Sequence, residues 1–394
     1  MNRRLISTWS AVRLLWLRAE VGTDVVRAQL CYDARFMQTG IVGLPQVGKT
    51  TLFRILTRAH LEEKTGRGAT HIGVARVPEP RIDQLAALYK PRKVTYATVE
   101  YVDVGGIVRD RARDSAVLAP LREVDALAHV LRVFEDPAVP HPAGRVDPLR
   151  DAQSLELELM LSDLEQIERR LERIEKDLKK KKDPATEHEH ALLTRCRDSI
   201  ESEHPLRELE FTPEERKILT SFMFLSLRPM LYVLNLGDDE VDKLETAIER
   251  HGLEKLRGRP QSSAVAICGR IEAELAELDD AAGAELLTAY GLKEPGLHRL
   301  IHATYDLLGL VSFFTAGEPE VRAWTIRRGT HAVNAAGVIH TDIERNFIRA
   351  EVVRCEDLLA AGSWPAAREK GQVRLEGKDY VVQEGDVILF RHSG

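Results

Sequence analysis

A chain of 394 residues exceeds one ordinary core, and at roughly 100–200 residues per domain it predicts two or three units. Its 56 Lys and Arg against 62 Asp and Glu leave a net charge of −6, which excludes wholesale wrapping of nucleic acid and still allows a local basic patch. Four scattered cysteines, Cys31, Cys196, Cys268 and Cys355, form no C-x-x-C pair and argue against a zinc site or a disulfide framework; with no run near the roughly 18 apolar residues of a membrane span, the expectation is a cytoplasmic protein.

Residues 1–37 read as an extension ahead of the first domain. The apolar piece around Leu14 to Leu17 is interrupted by Arg13 and Arg18, and Asp24 and Asp33 are out of place in a transit peptide, so Met37 marks an alternative start. An apolar pair, Ile41 and Val42, then leads into Gly43, Leu44, Pro45, Gln46, Val47, Gly48, Lys49 and Thr50, followed by Thr51 and a helical pattern. The G-x-x-x-x-G-K-[ST] spacing predicts a loop whose backbone N–H groups surround a polyphosphate, with Lys49 reaching the β and γ groups and Thr50 offering a hydroxyl to Mg2+.

Strands are expected at 39–43, 72–77, 98–103 and 126–133 and helices near 49–59, 80–89 and 115–123. The alternation resumes with strands at 230–235 and 263–268 and helices near 240–250 and through 270–307. This is the pattern of a mostly parallel α/β sheet covered on both faces, assigned to 38–147 and 228–308. The interruption at 148–227 carries Leu157, Leu164, Leu171 and Leu178 seven apart, with Met160, Ile167 and Ile174 between, so a coiled-coil helix is expected to run to Lys179–Lys182 and fold back through Leu193, Cys196 and Ile200. Its lysine tip either is solvated or meets phosphate. From 309 to 394, short strands at 312–315, 321–326, 347–353, 373–376, 380–383 and 387–390, with helices near 331–336 and 356–361, predict a compact α+β domain.

Asp103 closes a strand in Asp103-Val104-Gly105-Gly106, a D-x-x-G element whose carboxylate would meet Mg2+ through water and whose Gly106 N–H would sense a γ-phosphate. Asn235-Leu236-Gly237-Asp238 stands where an N-K-x-D base-reading element would stand, with Leu236 in the lysine position. Asp238 would accept from a guanine edge, and Cys268 and Gly269 would supply backbone contacts to a base. Histidines, His129 included, read as satisfied structural groups.

The order of these elements resembles the YchF family of Obg-related P-loop NTPases. The resemblance is carried by GLPQVGKT at 43–50, VPEPRID at 77–83, YVDVGG at 101–106, FED at 134–136, VDPLRD at 146–151, IHTDIERNFIRAEV at 339–352 and LEGKDYVVQEGD at 375–386. It implies a P-loop NTPase sheet, an inserted coiled-coil hairpin and a C-terminal TGS-like β-grasp domain. It also implies slow Mg2+-dependent hydrolysis of ATP in preference to GTP, and association with ribosomes or translation factors. RNA contact would fall to the TGS-like domain or Lys179–Lys182, with no role for DNA or membrane. Phe134 and Asn235 become adenine-contact candidates. Ile107, where other members of the wider class orient water with Gln, implies slow turnover. The segments 63–71 and 107–119 depart from the family's switch patterns, so the alternative is a nucleotide-holding adaptor of ribosomal particles without useful turnover.

Overall fold

The computed structural model describes residues 37–58, 70–104 and 115–393. A six-stranded sheet takes β1 (Gln38–Val42), β2 (His71–Arg76), β4 (Thr98–Asp103), β5 (Ala126–Arg132), β6 (Met230–Asn235) and β7 (Ser262–Ile267) in the order β2-β4-β1-β5-β6-β7. All neighbours are parallel except β2, which runs antiparallel to β4 at the edge. Every residue of β5 and β6 is buried, as central strands covered on both faces require. On one face Leu52 and Phe53 of α1 (Lys49–Thr57), Ile82 and Leu85 of α2 (Pro80–Tyr89) and Leu300 of the helix Gly296–Leu307 close the core. The other face takes Leu118 and Leu121 of α3 (Ser115–Arg122) and Leu155 and Leu159 of α4 (Pro148–Lys180).

Helix α4 starts where Asp147 accepts the Arg150 N–H at 3.1 Å with Pro148 at the first helical position, and it runs 33 residues. Asp183 and Pro184 repeat that device at the start of α5 (Pro184–Glu201), which returns antiparallel. Met160, Ile167, Leu171 and Ile174 pack there against Leu193, Cys196 and Ile200. Leu157 departs from the expected seam and is 44% exposed. At the root the helix packs on the sheet through Ala152, Leu155 and Leu159, at the 3.6-residue period of a straight helix, and the 3.5-residue seam begins only beyond. The helix expected at 240–250 is a 3-10 segment, Asp238–Thr246, followed by one short helix, Ala247–Arg250.

The arm's root is held by buried polar groups. Asp163 accepts the Leu225 and Ser226 N–H groups at 3.0 and 2.7 Å and pairs with Arg122 at 3.3 Å. Arg207, fully buried, pairs with Glu156, which also accepts from Tyr232 of β6 at 3.2 Å and from Arg259 at 3.2 Å.

A second sheet has the order β11-β10-β12-β8-β9-β3, built from β8 (Leu310–Ala316), β9 (Glu320–Arg327), β10 (Phe347–Arg354), β11 (Arg374–Glu376) and β12 (Asp386–His392). Its last member, β3 (Lys93–Thr95), comes from the first half of the chain and was not foreseen; it pairs parallel with β9, reinforced by Thr95 donating to Glu320 at 2.6 Å and Lys93 pairing with the same carboxylate at 3.1 Å. The stretch 380–383 is not a strand. Val381 makes one isolated bridge to His331, while the Tyr380 hydroxyl donates to Asp386 at 2.7 Å and so turns the chain. Two further helices, Thr341–Arg345 and Trp364–Glu369, were also not foreseen. Arg81 of α2 joins the two halves, pairing with Glu79 at 2.6 Å and with Glu384, whose other oxygen accepts the Ser312 N–H at 2.7 Å.

Arg207→Met leaves Glu156 buried with only Arg259 to balance it, and is expected to cost about 3 kcal/mol in urea unfolding, most of it recovered in the Arg207→Met/Glu156→Leu double variant. Equal loss in the single and double variants would contradict this account of the arm's root.

Candidate nucleotide site

The turn between β1 and α1 is held open by backbone that few residues adopt. Gly43 has φ +147°, and a Cβ there would lie 2.5 Å from the Val130 carbonyl oxygen; Gly48 has φ +99°, and a Cβ there would lie 2.5 Å from Asn235 Nδ2. Gln46 also takes a positive φ, 63°, with its side chain exposed. Helix α1 begins at Lys49 with no side-chain cap on its N-terminus, leaving its first N–H groups for a ligand such as phosphate.

Lys49 is buried, and its Nζ donates to the Leu44 carbonyl at 2.5 Å. Burial pushes its ammonium down to about 8, against the pull of the Asp103 carboxylate. Thr50 donates to Asp103 Oδ2 at 3.2 Å, while Oδ1 of the same buried carboxylate has no hydrogen-bond partner among the described residues. Burial raises the Asp103 carboxyl, opposed by the Thr50 hydrogen bond and by Lys49. An orphaned carboxylate oxygen beside a threonine hydroxyl and an uncommitted helix terminus fits a hard divalent cation that takes its remaining ligands from phosphate and water. Pro45 and Val47 lie within the loop, and Thr51 is exposed on the first turn of α1.

Asn235, at the end of β6, is 8% exposed and commits its amide twice: Nδ2 donates to the Val47 carbonyl at 3.0 Å, and Oδ1 accepts the Gly269 N–H at 2.9 Å. Its side chain therefore ties the phosphate loop to the loop after β7, and the Gly269 N–H is already used. Leu236 buries its side chain in the sheet core and donates its N–H to Ile267 at 2.8 Å. Cys268 is buried, and burial raises its thiol. Phe134, just past β5, is half-buried with the Arg132 guanidinium 4.5 Å from its ring centroid. Asp238 pairs with Arg270 at 2.9 Å, across the two loops that Asn235 joins. Gly106 and Ile107 lie outside the described residues, as do most of the segments 63–71 and 107–119.

Comparisons with known proteins show the family of the chain. A family described as 50S ribosome-binding GTPase matches residues 38–184, and a YchF-GTPase C-terminal family, described as a protein of unknown function, matches 310–393. The ribosome-binding ATPase YchF of Bacillus subtilis is 42% identical over 364 residues, covering 91% of this chain and 99% of the relative. The chain belongs to the YchF family. The ribosome-binding ATPase YchF of Escherichia coli O157:H7 is 39% identical over 358 residues, 89% of this chain and 98% of the relative. The solved YchF GTPase of Schizosaccharomyces pombe superposes with a TM-score of 0.76 at 28% identity, covering 91% of this chain and 98% of that one. The YchF motif at 77–83 supplies Glu79 and Arg81, and the motif at 375–386 supplies Glu384, so these two signatures meet in one interface.

Sequence reasoning misjudged His129. It lies on β5 in register with Val42 and Tyr232, is 1% exposed, and neither ring nitrogen has a hydrogen-bond partner among the described residues. Burial, aided by Lys49, pushes its imidazole down to about 3. The folded value lies below the unfolded one, so the unfolded chain binds the extra proton and stability falls as pH drops below about 6.5. Between pH 7.5 and 5.5 this histidine should remove about 1.4 kcal/mol, a loss absent from His129→Leu when the two proteins' urea midpoints are compared across that range. Parallel pH profiles would show that His129 is not buried neutral.

Proposed function

We propose that this chain is a Mg2+-dependent ATPase, with GTP the poorer substrate, that works on ribosomal particles in the cytoplasm. The observation that carries the reading is the convergence of Lys49, Thr50 and Asp103 at an uncapped helix N-terminus. Relatives at 39% and 42% identity that bear the name ribosome-binding ATPase support the substrate and the partner.

On this reading, Gly43 to Thr51 hold the polyphosphate and Lys49 stabilises charge on the transferred phosphoryl group. Thr50 and Asp103 hold Mg2+, which neutralises phosphate charge when bound. Gly106 senses the γ-phosphate. Ile107 has no donor to orient the attacking water, so turnover without a partner is slow. Phe134, Leu236, Asp238, Cys268 and Gly269 border the base, and Asn235 acts by joining the loops around it. The NTPase unit comprises 38–147 and 228–308, the arm 148–227 and the TGS-like domain 309–394. RNA of the ribosomal particle is the partner of the TGS-like domain or of the exposed arm tip Lys179–Lys182, which lies at the C-terminal end of α4. Neither DNA nor membrane enters this reading, and no helix among the described residues is long and apolar enough to cross a membrane.

Lys49→Ala is expected to lower Mg2+-dependent ATP hydrolysis at least 100-fold, measured as phosphate release with and without ribosomes. Wild-type protein that binds ATP yet releases no phosphate in either condition would overturn the enzymatic reading in favour of an adaptor.

A further inference from the structure

The loops after β6 and β7 are bridged by an exposed ion pair. Asp238 opens the 3-10 segment after Gly237, and Arg270 is the second residue of the helix Gly269–Glu277. Their strands are neighbours in register, Asn235 opposite Ile267. Arg270 Nη1 lies 2.9 Å from Asp238 Oδ2, and both side chains remain open to solvent, at 71% and 47% exposure. The same two loops are clasped beneath by Asn235, which also holds Val47 of the phosphate loop. The ion pair therefore lies on the two loops that border the phosphate loop, open to solvent.

The two purines ask different things of such a pair. Guanine presents two adjacent donors, N1–H and the 2-amino group, which suit a carboxylate with both oxygens available. Adenine presents a lone pair at N1, which a bare carboxylate repels, beside a donor at its 6-amino group. With one carboxylate oxygen held by a guanidinium, Asp238 is a weaker, partly neutralised two-acceptor edge, and the pair offers an acceptor next to a donor. Leu236 offsets none of this, because its side chain is in the core.

We propose that Arg270 is a base-selecting residue: by pairing with Asp238 it weakens the acceptor edge that guanine needs and supplies a donor to the N1 position of adenine. The proposal rests on the reading of this site as a purine-nucleotide site. An exposed ion pair contributes little to folding, so its removal leaves the scaffold intact.

The test is the dissociation constant of ADP, GDP and IDP, without turnover, for wild type, Arg270→Ala and Arg270→Lys. Arg270→Ala is expected to shift the ADP-to-GDP affinity ratio about tenfold toward GDP, the size of one good base-edge contact. IDP, which lacks the 2-amino group, should gain less than GDP, and Arg270→Lys should restore part of the ADP preference. An unchanged ratio in Arg270→Ala, or equal weakening of all three nucleotides, overturns the selecting role while leaving the nucleotide site standing. Wild-type protein that binds none of the three overturns the site reading and this proposal with it.

Discussion

The amide of Asn235 is the constraint on which the site depends. One side chain, buried at the end of a central strand, satisfies a carbonyl of the phosphate loop and an N–H of the loop after the next strand. A buried amide committed at both ends fixes the spacing of its two partners, and losing it would strand a desolvated backbone group on each loop. Gly48 is required for the same reason, since any Cβ there would enter the space the amide occupies. Two loops more than two hundred residues apart in the chain are thus held together by one side chain.

Around those loops the larger parts are joined by specific polar contacts. Strand β3 leaves the first sheet's half of the chain to close the edge of the second, and Arg81 spans from Glu79 to Glu384 beside it. On the opposite side, Arg122 at the end of α3 pairs with Asp163 and donates to Ser162 at 2.8 Å, so the helix that follows the D-x-x-G segment touches the arm directly. Those contacts tie the helix Ser115–Arg122 to the arm, and the shared strand ties the C-terminal sheet to the first half of the chain.

Much of this was legible in the chain itself. The phosphate loop is recognisable because its chemistry is local: eight consecutive residues carry the glycines, the lysine and the hydroxyl. Strand β6 is visible because a covered parallel strand is a nearly continuous apolar run. What escaped was non-local. Lys93-Val94-Thr95 is too short and polar to announce a strand, and its partner lies more than two hundred residues on. Leu157 fits a heptad that the helix does not use at its root, and residues 380–383 have the β-branched composition of a strand while their polar groups serve a turn. Asn235 invites a base-contact role from its position alone; its bonds to Val47 and Gly269, which join two loops, have no signal in the sequence. The pairing of Arg270 with Asp238 had no signal in spacing at all.

The account turns on Asn235 acting as a clasp and not as a base contact, and ligands with and without a base separate the two. Affinity of Asn235→Ala for ATP and for inorganic tripolyphosphate, both with Mg2+, is the direct measurement. A clasp predicts that both weaken by a similar factor, of about tenfold or more, because the phosphate loop itself loses its support. Loss of ATP affinity with tripolyphosphate binding unchanged would contradict the account and return Asn235 to the base.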